Sequence, residues 1–399
     1  MPSDFRAALP LPLFRSLPIQ RSHGIPQVIL YPAPSKAIPA PTAPATPGAM
    51  NPHLTPWNVQ PDHFPADGFA SDRLEFLLAY AVLAPSPHNT QPWLFRINTS
   101  DVEIFADPRR VLPVADPHRR EQTLACGCAL YNLRVAAHYF GQGYTVEAFP
   151  DPHQPDLMAR FTLRGPTETA SEDIVLFQAI TGRRTNREAF QPDPIAEEIL
   201  TELTEASAAE GAWLAIVTDD DTRKAIAELV AQADRTQWSN HGFRKELASW
   251  IRTDAEHQAD GIPTRELGFR DWMSFAGPAL VRTFNRGDNQ AAHDAEIASH
   301  SPAIGVLGTY EDDPGSWLRA GQALESVLLH AQSEGLSVSH LNQPIEVADL
   351  RPAVGKIVDR DDFPQVILRL GYGPPVGPTP RRNVHSRLLM QDPTKAPPH

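Results

Sequence analysis

Apolar positions recur at helical spacing in several stretches of this chain. The run DRLEFLLAYAVLA, beginning at Asp72, predicts a helix that Ser71 or Asp72 can cap. GCALYNLRVAAHYFG, from Gly127, and GQALESVLLHAQSEG, from Gly321, keep apolar residues at i, i+3, i+4 and i+7, and each ends on a glycine stop. At a constant offset the pairs Gly127/Gly321, Ala129/Ala323, Leu130/Leu324, Ala137/Ala331 and Gly141/Gly335 are identical. A strand-like segment follows each helix: ARFTLRG (159–165) and VILRLGYG (366–373). EDIVLFQAI, capped by Ser171 with Glu172 and Asp173 in its first turn, predicts the opening helix of the second copy. Two copies of a helix-then-strand unit predict a tandem pair that folds as a pseudo-twofold dimer within one chain. The alternative is a chance likeness between two Ala/Leu-rich helices.

The copies differ in length. The second carries an insertion over roughly residues 200–300, with amphipathic helices in IAEEILTELTEASAA, DTRKAIAELVAQA and FRKELASWIRT and the loop DGIPTRELG. An insertion of that size predicts a lid over something. Residues 1–65 break all periodicity: phrases such as PLPLFRSLP and APSKAIPAPTAPATPGAM are proline-rich and predict disorder. They lack the apolar core of a secretion signal, and Met50 is a candidate start, with the preceding stretch as upstream reading frame. The expected organisation is therefore a disordered extension (1–65), a first half (66–168), a second half (169–385) and a disordered tail (386–399).

Composition narrows the function classes. A net charge of −13, from 48 acidic and 35 basic side chains, argues against a nucleic-acid partner. The longest apolar run, Phe76 to Ala84, is far short of the ~18 residues of a membrane span. Cys126 and Cys128, the only cysteines, have neither metal-knuckle nor redox-pair spacing, and read as buried small residues of a reduced, cytoplasmic protein. There is no GxGxxG opening a helix, no GxSxG elbow, no HExxH and no recurrent histidine spacing, so no metal site is expected.

Two loops carry the chemistry. APSPHNTQPW (84–93) sets Ser86, His88, Asn89 and Gln91 between Pro85, Pro87 and Pro92 and closes on Trp93. Stiff backbone with alternating donors and acceptors suits a flat heterocycle; a turn stabilised by its own Asn and Gln is the other reading. TGRRTNRE places Arg183, Arg184 and Arg187 around Thr185, which suits a phosphate monoester or a solvated basic turn. Arg381 and Arg382 end the rigid PPVGPTP arm and could reach the same anion.

PSPHNTQPW resembles the PSxxNxQPW signature of the nitroreductase family of flavin enzymes, and RRTNR is similar to that family's RRSxR phosphate-binding segment. The order of the two motifs, with ACGCALYNLRVAA, GSWLRAGQALESVLLHAQSEGLSVSHL and FPQVILRLGYG, resembles the tandem, lidded Acg-like subfamily over roughly residues 70–385. The resemblance implies an α+β protein of two tandem nitroreductase-like α/β halves, closed as an intrachain pseudo-dimer with a helical lid in the second half. It implies one FMN per chain, with NAD(P)H as reductant and a small-molecule electron acceptor such as a nitro compound or quinone. Arg183, Thr185 and Arg187 would grip the FMN phosphate, with Arg184 close by and Arg381 or Arg382 completing the cage. Pro85, Ser86, Pro87 and Asn89 would lie along the isoalloxazine ring, and Leu341 and Asn342 beside flavin N5, although the family's usual Pro-x-Gly is absent there. No acid–base side chain is required, so none is assigned as catalytic; His88 reads as a structural, hydrogen-bonded histidine or a ring contact. A monomer is implied. Two rival readings stand: a lidded protein that sequesters FMN without turnover, and an interaction module that has lost flavin.

Overall fold

A computed structural model describes residues 56–253, 258–264, 281–282 and 287–389. The expected disorder of residues 1–55 and 390–399, the question of Met50, and parts of the insertion lie outside the described residues.

The strands form two four-stranded antiparallel sheets, which makes the fold α+β. In the first, β1 (Trp93–Ile97), β2 (Asp101–Ala106), β3 (Gln142–Ala148) and β4 (Leu157–Pro166) lie in the order β1-β2-β4-β3. In the second, β5 (Trp213–Val217), β8 (Ala303–Thr309), β9 (Ser337–His340) and β10 (Phe363–Gly371) lie in the order β5-β8-β10-β9. A short parallel pair, β6 (Ile251–Arg252) with β7 (Ile262–Pro263), sits between them in sequence. Substituting β5, β8, β9 and β10 for β1, β2, β3 and β4 converts one strand order into the other.

The helices repeat the same plan. α1 (Ala70–Ala81) begins one residue before the expected cap Ser71, and α3 (Ser171–Gly182) begins on the expected cap Ser171 itself. In both, the aspartate in the first turn takes the backbone N–H just before the helix: Asp72 Oδ2 from Phe69 at 3.0 Å, and Asp173 Oδ2 from Ala170 at 2.8 Å. The expected Ser71, Asp72 and Ser171 caps thus give way to Phe69 and Ala170, because the aspartates satisfy the orphan amides from inside the helix. α2 (Arg120–Tyr139) ends before Gly141 at φ +64°, and its counterpart Pro314–Ser333, here α8, ends before Gly335 at φ +75°. Both glycines supply the left-handed turn that stops a helix.

α2 and α8 cross at the centre of the molecule. A Cβ on Gly127 would lie 2.4 Å from the Leu318 carbonyl oxygen and 2.9 Å from the Gly321 Cα. A Cβ on Gly321 would lie 2.0 Å from the Leu124 carbonyl oxygen. Each glycine therefore sits on the residue equivalent to the one its partner covers. Cys126 and Cys128 are buried on α2, and the Cys128 thiol faces the Gly321 carbonyl at 3.1 Å. Burial raises the Cys126 thiol to about 12, which leaves it an inert core residue. One apolar cluster, from Leu74 through Leu130 and Leu324 to Val384, joins both halves around this crossing.

Three boundaries differ from expectation. α4 (Glu197–Ala209) packs on α8, and β5 is an edge strand, so residues 197–217 belong to the body and the insertion proper runs from 218 to 302. Within it, α5 (Asp220–Ser239) and α7 (Gly287–Ser299) cover one face of the second sheet through Ile226, Val230 and Ala298. α6 (His241–Trp250) instead reaches the first half, where Phe243 and Leu247 pack with Leu112 and Ala115. Glu246 accepts from the Val114 and Ala115 amides, each at 2.9 Å. The extension is ordered from residue 56: Trp57 is buried, and Phe64 stacks on Phe140 with centroids 4.2 Å apart. At the other end, Leu388 bridges to Phe95, and the Leu389 amide donates to the Phe95 carbonyl at 2.7 Å. The segment from 386 to 389, expected as part of a disordered tail, is thereby fastened to the first sheet.

Candidate functional site

The turn after α1 is strained. His88, Asn89 and Gln91 all have positive φ, at 50°, 53° and 48°, which costs an L-residue roughly 1–2 kcal/mol each. Local bonds hold it: the Gln91 amide donates to Ser86 Oγ at 2.9 Å and the Thr90 amide to the Pro87 carbonyl at 2.9 Å. Remote bonds finish it. Asn89 Nδ2 donates to the Pro380 carbonyl at 3.0 Å, and Asn89 Oδ1 accepts from Arg381 at 3.0 Å. The prolines Pro85 and Pro87 frame this turn at the closed end of α1.

The arginine segment follows α3 and lies along the open edge of β9. Thr185 bridges to Val338, and the Asn186 amide donates to the Val338 carbonyl at 2.9 Å. Arg183 is buried; its Nη2 donates to the Leu83 carbonyl at 3.1 Å, and its Nε lies 3.5 Å from the buried carboxylate of Glu325 on α8. Arg381 also reaches the Leu83 carbonyl, at 3.4 Å. The end of α1 in the first half thus receives two guanidiniums from the second. Burial raises the Glu325 carboxyl to about 7 against the opposing pull of Arg183.

Two histidines report the local field. His88 is pushed down to about 4, first by burial and then by the charge of Arg187. His340, at the end of β9, is pushed down to about 3 by burial, Arg183 and Arg187. The strained turn of one half and the arginine segment of the other therefore share one positive environment. The shielded Nε2 of His88 has no hydrogen-bond partner among the described residues.

Sequence reasoning missed Arg369. It lies on β10, fully buried, and its Nη2 donates to the carbonyls of Asn186 and Glu188 at 3.0 and 2.8 Å. Its plane rests 4.0 Å from the Phe190 ring, while Nε and Nη1 have no partner among the described residues. Burial and the nearby Arg187 charge pull it down to about 10, with Asp294 opposing. The available signal was a lone arginine inside the apolar strand VILRLGYG.

The remaining candidates are spread more widely. Arg184 stacks 4.0 Å over Trp57 and donates to the Thr181 and Arg183 carbonyls, closing the end of α3. Arg382 turns the other way: its Nε donates to Asp260 at 3.0 Å, and its amide donates to Gln91 Oε1 at 2.8 Å. The Leu341 side chain is buried in the core of the second sheet, and its amide donates to the Ile367 carbonyl at 2.8 Å. Asn342 Oδ1 accepts from the Ile367 amide at 3.0 Å, while its Nδ2 donates to Glu121 at 3.1 Å. Glu121 is itself buried and is raised to about 7 by desolvation, against the pull of Arg120.

The donor set fits an anionic group such as a phosphate. Arg183, Arg187 and Arg369 supply cations, the unpartnered Arg369 and His88 nitrogens supply polar atoms, and the depressed histidines mark positive charge that an anion would balance.

The family model described as "Nitroreductase family" matches residues 180–372. "Putative NAD(P)H nitroreductase Rv3131" of Mycobacterium tuberculosis (strain ATCC 25618 / H37Rv) is 33% identical over 333 residues, 81% of this chain and 91% of that protein. "Putative NAD(P)H nitroreductase acg" of the same strain is 30% identical over 324 residues, 79% of this chain and 94% of that protein. Among solved structures, the FMN and NADPH-dependent nitroreductase NfnB from sphigopyxis sp. strain HMH aligns over 54% of this chain and 99% of its own, with 18% identity and a TM-score of 0.37. With its α+β sheets and an identity of 33% over most of its length, the chain belongs to the nitroreductase family.

Proposed function

We propose that this protein is an FMN-dependent NAD(P)H oxidoreductase that reduces small acceptors such as nitro compounds or quinones. The observation that carries the reading is the meeting of the 83–91 segment with Arg183 and Arg381 from the opposite half, Arg183 and Arg381 on the Leu83 carbonyl and Arg381 on Asn89, within the field of Arg187. When bound, FMN would supply the hydride chemistry; the chain supplies placement, charge and shielding from water. Arg183, Thr185 and Arg187 would hold the phosphate, and Arg369 keeps their segment in place through the Asn186 and Glu188 carbonyls. Arg381 braces Asn89 and with it the strained turn that would flank the ring. His88, held far below neutral, is an uncharged contact at physiological pH and no acid for proton delivery.

The tandem architecture belongs to the same reading. Matching strand orders, matching helix starts and stops, and the reciprocal Gly127/Gly321 crossing support two nitroreductase-like halves closed as a pseudo-dimer. Only the first half carries PSPHNTQPW and only the second carries RRTNR, which supports one FMN per chain and a functional monomer. The insertion would act as the lid.

One observation favours the second reading, a protein that binds FMN with little turnover. Residues 259–261 are tied to the turn: Gln91 Nε2 donates to the Ala259 carbonyl at 2.7 Å, and Asn89 exchanges bonds with Gly261 at 3.3 Å. Steady-state NAD(P)H oxidation with menadione or a nitroaromatic acceptor separates the two. Turnover well above that of free FMN supports the reductase, whereas tight stoichiometric FMN without turnover supports sequestration.

A further inference from the structure

The ties at 259–261 border a second positively charged cavity. It measures about 510 Å³ and is walled by Arg110, Trp250, Arg252, Asp260 and Arg382. Among the described residues Asp260 is the one acidic wall residue, and three guanidiniums converge on it. Arg252 Nε and Nη2 donate to Oδ1 at 3.2 and 3.0 Å, while Arg110 and Arg382 share Oδ2. Among the described wall residues, three cations against one carboxylate leave two positive charges in excess, on a protein whose net charge is −13. Arg387 stands just behind, buried near Arg382 and Arg110, with Asp107 opposing its charge at 3.5 Å. The Trp250 ring lies beneath Arg110 and Arg252, with guanidinium carbons 5.3 and 5.5 Å from its centroid.

A carboxylate offers two oxygens where three guanidinium forks meet, so two forks must share one oxygen. A phosphate monoester dianion offers three terminal oxygens and two charges, one oxygen for each fork. We propose that this cavity binds a phosphate dianion on Arg110, Arg252 and Arg382 in competition with Asp260. Because Asp260 lies inside the 259–261 segment, its displacement loosens the ties to Asn89 and Gln91. The anion is free phosphate or the ribose phosphate of a nucleotide such as NADPH. The nucleotide alternative rests on the oxidoreductase reading; the anion site itself does not.

The test is calorimetric titration of the full chain, saturated with FMN, with inorganic phosphate and separately with 2′,5′-ADP. Saturable binding of either ligand at one site per chain is expected. Arg252→Gln weakens that binding at least tenfold, and Arg252→Lys, which keeps the charge and loses the fork, weakens it less. Asp260→Asn removes the competitor and tightens it. Hydrogen exchange at the Gly261 amide quickens when phosphate saturates the site. Tighter binding of 2′,5′-ADP than of phosphate assigns the site to a nucleotide, and equal binding assigns it to the free anion. Absence of saturable binding by both ligands overturns the proposal. So does binding that Arg252→Gln leaves unchanged; its loss in Arg187→Ala would place that anion in the FMN phosphate site.

Discussion

The two halves share a strand order and part company at one connection. Between β1 and β2 the first half needs only residues 98–100, while between β5 and β8 the second spends residues 218–302. The connection in the first half is a tight turn, closed by the Asn98 amide donating to the Asp101 carbonyl at 2.8 Å. In the second half its described residues form three helices, two of which cover the second half's own sheet while α6 crosses to the first half. The strand order is thus kept in both sheets, while the connection differs. Packing at a twofold crossing rewards identical surfaces, whereas a single asymmetric ligand needs cations on one side and a shaped turn on the other.

The most damaging way to break the comparison is at the crossing. Gly321→Val should destabilise the chain by about 3 kcal/mol or more, because its Cβ meets backbone that cannot move aside. Gly127→Ala and Gly321→Ala should lose similar stability in urea denaturation; if one is tolerated and the other unfolds the protein, the crossing is not reciprocal. At the asymmetric site, Arg187→Ala should weaken FMN by about 1.5–3 kcal/mol, the scale of hydrogen bonds to charged groups. Unchanged affinity in a fluorescence titration would move the phosphate elsewhere.

The third test concerns α5 and α7, which exist only in the second half. Asp234 on α5 is raised to about 8 by burial and by the neighbouring Asp294 on α7. Its folded pKa exceeds the unfolded value, so its contribution is fully present below the unfolded pKa of 3.8 and fades as pH rises towards 8. Asp234→Asn should therefore raise the melting temperature relative to wild type more at pH 8 than at pH 5. An equal shift at both values would remove Asp234 from the pH dependence. The smallest effect is expected from Trp57→Leu, which keeps apolar bulk but removes the ring beneath Arg184 and Arg381 and the bond to the Thr379 carbonyl. A loss of about 1–2 kcal/mol in thermal or urea unfolding is anticipated; a loss above the range for a full aromatic deletion would mean that Trp57 nucleates more than the end of α3.

What the sequence made legible was whatever repeats locally. Helical spacing located α1, α2, α3 and α8, and Gly141 and Gly335 located two of their stops, while the close crossing at Gly127 and Gly321 showed in sequence only as a repeated glycine. The turn and the arginine segment were readable because each packs its chemistry into a few consecutive residues. Long-range partners left no such mark. Trp57 looked like the end of a proline-rich extension because its partners, Arg184, Thr379 and Arg381, lie far along the chain. Asp260 looked like an ordinary loop acid, since nothing nearby announces that Arg110 and Arg382 close on it. The IAEEILTELTEASAA helix was assigned to the insertion at roughly 200–300 because the second copy is the longer, although that helix, α4, packs into the body.

Stoichiometric titration of the purified full-length chain with FMN, followed by flavin absorbance near ~450 nm and fluorescence, tests the shared site most directly. Saturation at one FMN per chain, lost together in Arg187→Ala and Asn89→Ala, is the predicted result. Two equivalents per chain, or none, would contradict it.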